Sequence, residues 1–410
     1  MGNVGLSNNR KMTEKIPLMA VLFSISLLQM SGMNISPALQ TLSRVYPNES
    51  AESIQTLVTL PSLFMVLASF LASPCSRLFS KKRTILFGCA FFSVAGLIPM
   101  VFTSFSALRF SRMLIGAAIG LFLPINSTLL FSFFTDPNER NTVIGWQSCA
   151  SASGNIIATT VAGMLVQINY KLTFLVHLIG VFTFIVNLVF LPQDYPEKGD
   201  PEVKEGSSFF SRLSSALNRR AVSWLLVSFM YMTYLNCFST KISLLVESQG
   251  IGTSTVSALG ITIFTVGSFS GGLFYGKTSR LFREFTLPMG FLLSASGILL
   301  LGTAHDTLMV YISSYLVGLG MSMVTPGVVV GLLGNARPDD RIMLSATSSA
   351  VSNLGLSLSP YITSFTAFLF LRENKSLRGE YVVCASVLML MAACASVRAL
   401  VRIKKNTKDS

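Results

Sequence analysis

CSRLFSKKR occupies Cys75–Arg83 and TSRLFREF occupies Thr278–Phe285. A shared tetrapeptide decides nothing by itself, so the test is whether other landmarks recur at the same displacement. They do. Ser76 answers Ser279 at 203 positions, Gly116 and Pro124 answer Gly318 and Pro326 at 202, and Gly154 answers Gly355 at 201. LIGAAIGLFLP (Leu114–Pro124) is matched by LVGLGMSMVTP (Leu316–Pro326), and DPNER by RPDDR in the following loop. The second half of the chain therefore repeats the first in the same direction. Between them runs PQDYPEKGDPEVKEGSS, part of a charged, Pro- and Gly-bearing linker over 192–220 that is too polar to span anything.

Composition fixes the solvent in which the repeats fold. Of 410 residues, 51% are hydrophobic and 12% charged, about half the ~25% charge of a soluble domain. Apolar runs at about 17–36, 54–74, 84–103, 107–133, 142–167, 172–191, 221–245, 253–275, 286–304, 308–334, 342–370 and 381–401 are long enough for helices that cross a bilayer. Their continuity excludes a β-barrel, whose strands alternate. The first run is too long for a signal-peptide core, no small-residue cleavage site follows it, and it is expected to be retained. The reading is an all-α polytopic membrane protein of twelve spans in two six-helix parallel repeats. Its parts are a tail at 1–16, a half at 17–191, the linker, a half at 221–401 and a basic tail at 402–410.

The net charge of +13 would suit a nucleic-acid partner on a solvated basic face. Here the Lys and Arg sit between apolar runs, which makes them topological. With the N-terminus inside, the outer segments hold only Arg44, Arg109, Lys171, Arg372, Lys375 and Arg378 of the 31 basic residues, and Arg112 and Lys241 fall within spans. Both termini are expected to be cytoplasmic, in the cell membrane. The six cysteines form no close pair and have no His at metal-ligand spacing, so free thiols and no metal are expected. No paired membrane carboxylate, His cluster or nucleotide loop is present, and the chain reads as a non-enzyme without cofactor.

Two parallel six-helix halves with basic loops after spans two and eight resemble the major facilitator superfamily across nearly the whole chain. The family's loop signature, roughly Gly-x-x-x-Asp-Arg-x-Gly-Arg-Arg, is similar to SPCSRLFSKKR at Ser73–Arg83. Arg77 stands at the Asp position and Ser80 at the Gly position, while Lys81, Lys82 and Arg83 keep the basic run. In the second copy, Arg280 stands at the Asp position. The resemblance makes these loops cytoplasmic gate elements; purely topogenic charge is the other reading. LRFSRMLIGAAIG (Leu108–Gly120) resembles the family's Leu-x-x-x-Arg-x-x-Gln-Gly motif through Arg112 and Gly116. GNIIATTVAG (Gly154–Gly163) resembles its antiporter motif loosely, with Thr159 at the proline position, whereas GLSLSP keeps Pro360 after Gly355. This places the chain beside the drug and organic-solute antiporters with degenerate motifs.

Small residues at four-residue spacing, such as Ala150, Gly154, Ala158 and Ala162, make smooth stripes for close helix approach. Gly116, Gly154, Gly163, Gly318, Gly355 and Pro360 are read as packing positions. The resemblance implies that spans one, four, seven and ten line the central path, and those spans carry polar stripes. The candidates there are Gln29, Asn34, Arg112, Asn126, Tyr231, Tyr234, Lys241 and Tyr315. Arg112 could instead be a structural donor, Lys241 could snorkel to the interface, and the tyrosines could be packing. None of the 18 acids falls well inside an assigned span. Two buried cations without an acid favour an anionic or amphipathic solute carried by alternating access. Broad-specificity multidrug efflux and a non-transporting receptor are the other readings. The expected partners are a small-molecule substrate, membrane lipids and a coupling ion or counter-solute, around a monomer that binds no nucleic acid.

Overall fold

The computed structural model describes residues 12–29, 35, 38–193, 216–334, 336–371 and 376–406. Asn34, most of the linker and the chain ends lie outside the described residues. The described chain is helical. Its elements are α1 (Met12–Gln29), α2 (Leu39–Val45), α3 (Ala51–Ser69), α4 (Ala72–Phe79), α5 (Lys81–Val101), α6 (Phe105–Phe133) and α7 (Pro137–Ile168). A 3-10 run, Tyr170–Leu178, leads into α8 (Ile179–Phe190). The second copy holds α9 (Arg219–Leu235), α10 (Cys237–Ser248), α11 (Ser254–Phe282), α12 (Thr286–Gly302), α13 (Thr307–Leu333), α14 (Arg341–Leu371) and α15 (Leu377–Asn406).

Among the described residues nine stretches are long and apolar enough to cross a membrane, ten when the pair Thr56–Ser69 and Ala72–Phe79, bent by 53°, counts as one. The stretch Thr255–Gly302 has 48 residues, about 72 Å as one helix, which is twice a bilayer core. It is in fact two helices, α11 and α12. The apolar Lys15–Gln29 stops where the described residues stop. Twelve passes fit these elements. The irregularities are local: the second pass bends between α3 and α4, the sixth starts as 3-10 helix, and the seventh joins α9 to α10 at Asn236.

The chain divides into two compact units, Met1–Asp136 with Ala150–Ala221 and Leu333–Ala350, and Pro137–Cys149 with Val222–Leu332 and Val351–Ser410. Each unit thus includes the opening turns of one long helix from the other copy, α14 in the first and α7 in the second.

Helix packing repeats with the sequence. A methyl group on Gly116 would strike the Pro61 carbonyl of α3, and one on Gly318 would strike the Phe264 carbonyl of α11. Pro61 and Phe264 are themselves 203 positions apart. Likewise Gly154 lies against Leu27 of α1 and Gly355 against Phe229 of α9, 202 positions apart. Gly272 and Gly276 of α11 abut Gly145 and Thr142 of α7, while Gly267 abuts Tyr315 of α13. Only hydrogen at these positions lets two backbones come this close. Gly163 and Pro360 are half-buried positions on α7 and α14.

The basic loops share a backbone feature. The non-glycine residues with positive φ among those described are Ser80 (φ 82°, ψ 156°) and Arg283 (φ 47°, ψ −116°). They are 203 positions apart, so they are repeat equivalents. Ser80 accepts from the Arg83 amide at 3.4 Å and opens α5 as its N-cap. A conformation that favours glycine costs other residues about 1–3 kcal/mol. Ser80→Gly and Arg283→Gly are each expected to stabilise the protein by about 1 kcal/mol after glycine's greater unfolded-state entropy is subtracted, read as a raised apparent Tm in detergent. A lowered Tm in both variants would show that the loops are not strained.

Candidate functional site

In the first unit, α1 is the hub of a polar seam. Asn126 of α6 donates through Nδ2 to Ser26 Oγ at 3.2 Å and to the Leu22 carbonyl at 3.4 Å. Ser151 of α7 donates to the Ser26 carbonyl or to Gln29 Oε1, both at 3.1 Å. Two of the sequence candidates, Gln29 and Asn126, are thereby joined through Ser26 and Ser151. On its other side, Ser24 meets Asn187 and Thr183 of α8, each at 3.1 Å. Ser24, Thr183 and Asn187 escaped the sequence reading because single hydroxyls and amides in apolar runs are common and bond local carbonyls.

Arg112 is 1% exposed. Its guanidinium carbon stands 5.9 Å from the centroid of the Phe174 ring, on the 3-10 run that opens the sixth pass. The side chain thus points toward Phe174 and His177, with its Nε and Nη1 lacking a hydrogen-bond partner among the described residues.

In the second unit the stripe Tyr231, Tyr234, Phe238, Lys241 runs across the junction of α9 and α10 at Asn236, where the backbone stays helical and its amide still bonds the Met232 carbonyl at 3.1 Å. Tyr231 is fully buried, sharing a hydrogen bond with Ser294 of α12 at 2.8 Å and meeting Phe291 edge-on at 5.4 Å. Tyr234 is buried, and Phe238 stacks on Phe264 at 5.2 Å. Asn236 donates to the Leu356 carbonyl of α14 at 3.0 Å, anchoring the junction. Tyr315 of α13 is exposed.

Lys241 does have an acid. Its ammonium forms an ion pair with Glu380 of α15 and donates to Ser364 at 3.0 Å and Thr363 at 3.3 Å, both on α14. The side chains are 10% and 16% exposed. The sequence reading began the last span at 381 and so placed Glu380 in a loop. The helix starts at Leu377, after Ser376 accepts from the Gly379 amide at 3.0 Å. Ser376 followed by an acid in the first turn is a helix-start pattern, and it was the signal available.

The gate-loop residues have defined neighbours. Lys82 donates to the Leu188 carbonyl at 2.9 Å and the Leu191 carbonyl at 2.5 Å, capping the C-terminal end of α8. Arg77 stands within electrostatic reach of Asp340, so an acid before α14 answers the Arg at the Asp position. Lys81 is half-buried, and Arg83 and Arg280 are exposed. At the opposite end Tyr46 donates to the Thr103 carbonyl at 2.7 Å and packs on Phe105. Burial, with Tyr170 beside it, pushes its phenol up to about 12, so it stays neutral. All six cysteines are free thiols, and no cluster of metal-ligating side chains occurs among the described residues.

Duplicated bundles of membrane-crossing helices, with polar side chains concentrated on α1, α6 and the seventh pass, define a polytopic membrane carrier rather than an enzyme. The sequence profile of the Major Facilitator Superfamily matches residues 21–261 and 242–410, and the chain belongs to that family. It is similar to the quinolone resistance protein NorA of Staphylococcus aureus (strain COL), 24% identical over 338 residues that cover 78% of this chain and 83% of NorA. Multidrug resistance protein 1 of Bacillus subtilis (strain 168) is 22% identical over 316 residues, 76% of this chain and 80% of that protein. Among solved structures, the human organic anion transporter MFSD10 (TETRAN) superposes with a TM-score of 0.76 at 14% identity, covering 94% of this chain and all of that one.

Proposed function

We propose that this carrier moves amphipathic organic solutes across the cell membrane by alternating access, in the direction of efflux, with both termini cytoplasmic. The carrying observation is the Lys241–Glu380 pair. Two uncompensated cations would favour an anionic solute, but one of them is neutralised within its own unit. What remains in each unit is hydroxyl, amide and aromatic side chains, Gln29 and Asn126 in the first and Tyr234 and Tyr315 in the second, of a kind suited to solutes with an apolar body and few polar atoms. Similarity to a quinolone resistance protein and a multidrug resistance protein supports the same reading. A coupling ion or a counter-solute supplies the driving force.

Thermal unfolding of purified protein against organic anions, organic cations and neutral amphiphiles tests the assignment, because a ligand of the native state raises the apparent Tm without any assumption about coupling. Neutral and weakly charged amphiphiles are expected to stabilise most, and Asn126→Ala to reduce the shift. Stabilisation confined to strongly anionic solutes would overturn the proposal. Proteoliposome flux with the best ligand then establishes direction.

A further inference from the structure

Three polar side chains end without partners inside the first unit. Arg112 Nε and Nη1 on α6, and Thr173 Oγ1 and His177 Nε2 on the 3-10 run, are buried atoms with no hydrogen bond among the described residues, and their residues are 1%, 3% and 2% exposed. Phe174 ties the group together. Its ring lies 5.9 Å from the Arg112 guanidinium and its carbonyl is 2.9 Å from His177 Nδ1. A carbonyl only accepts, so Nδ1 carries the hydrogen and Nε2 of the neutral ring presents a bare lone pair. The ring cannot turn to find another partner, since Gly96 of α5 backs directly onto it and Phe92 packs at 5.4 Å.

A buried guanidinium with two N–H groups unbonded and no opposite charge beside it is costly in a medium of low dielectric. Among the described residues no carboxylate pairs with Arg112. The facing groups are few. α5 presents Ser93 and, further along, the Cys89 thiol; α7 presents Ala158 and Ala162 to Val176; Tyr170 and Lys171 open the same 3-10 run. No described side chain supplies the counter-charge, and a guest anion would.

We propose that Arg112, Thr173 and His177 form an internal site for a small monovalent anion of halide size, held against the first unit's 3-10 run. The anion accepts from Arg112 and from the Thr173 hydroxyl. A lone pair at His177 Nε2 would repel it, so its binding favours the protonated ring, which donates from Nε2. Anion and proton then bind together, and the site holds the anion more tightly as pH falls. No bond is made or broken, and the proton rests on Nε2. The site takes an inorganic ion and is independent of the organic solute proposed above.

The test is thermal unfolding of the purified carrier in sodium chloride against sodium gluconate at fixed sodium, at pH 6 and pH 8. A saturable rise of apparent Tm with chloride is expected, larger at pH 6. Arg112→Gln is expected to abolish it, and His177→Gln to keep a chloride response but remove its pH dependence. Equal response to gluconate, or a full chloride response in Arg112→Gln, would overturn the site and leave a water-filled pocket only. If Arg112→Gln does not fold, crystals grown in bromide decide the matter. An anomalous peak among α5, α6 and the 3-10 run upholds the proposal, and its absence overturns it.

Discussion

Glu380→Ala is expected to destabilise the carrier by about 3 kcal/mol, the lower end of the range for breaking a buried ion pair because the pair keeps slight contact with solvent. The cost arises mainly from the partner left behind. Lys241 would retain Ser364 and Thr363, which are neutral, so its ammonium would stay buried without an opposite charge. Lys241→Met is expected to cost less, because a lone Glu380 can take up a proton and become neutral. Joining the two as Lys241→Met/Glu380→Leu should recover most of the loss, since an ion pair replaced by apolar groups of similar volume is often near neutral. The measurement is the apparent Tm of the three variants, with a fall of about 3–4 °C for Glu380→Ala. Equal, small effects in all three would show that the pair does not hold α10 to α15.

Gly116→Ala and Gly318→Ala are each expected to cost about 3 kcal/mol, the upper end for overpacking. The added methyl meets a backbone carbonyl in both, Pro61 in one copy and Phe264 in the other. A side chain could swing aside, but a carbonyl in a helix moves only with its helix. The two sites lie in separate units, so their effects should add in the double variant. Near-silent single variants would mean that α3 and α11 slide freely on their partners.

Much of this was legible in the sequence. The 201- to 203-residue displacement announced the duplication, and the same displacement recurs between Pro61 and Phe264 and between Leu27 and Phe229 as partners of equivalent glycines. Small residues at four-residue spacing are the sequence's mark of a close-approach face, and Gly154 of that stripe lies against the Leu27 backbone. The polar partnerships were less legible. Hydropathy locates where a span is apolar, and Glu380 was lost because a helix can begin before its apolar stretch does. The tyrosine stripe runs past Asn236, and neither the Ser294 partner of Tyr231 nor the Phe264 partner of Phe238 is written in its spacing. Arg112 stands out as a cation within an apolar span and through the motif it matches, but periodicity gives no hint that a 3-10 run would place Phe174 beside it.

Ser80 and Arg283 carry one more implication. The two copies now hold different residues at this position, neither of them glycine, yet both backbones turn into the positive-φ half of the map at the same step of the repeat. Shape has outlasted chemistry there. The letters agree through Ser-Arg-Leu-Phe in both loops and part at the next residue, where both backbones still take a positive φ. Torsion angles are therefore a useful yardstick beside letters for recognising such turns in divergent carriers, and glycine is the residue to restore when a designer wants the turn without its tension.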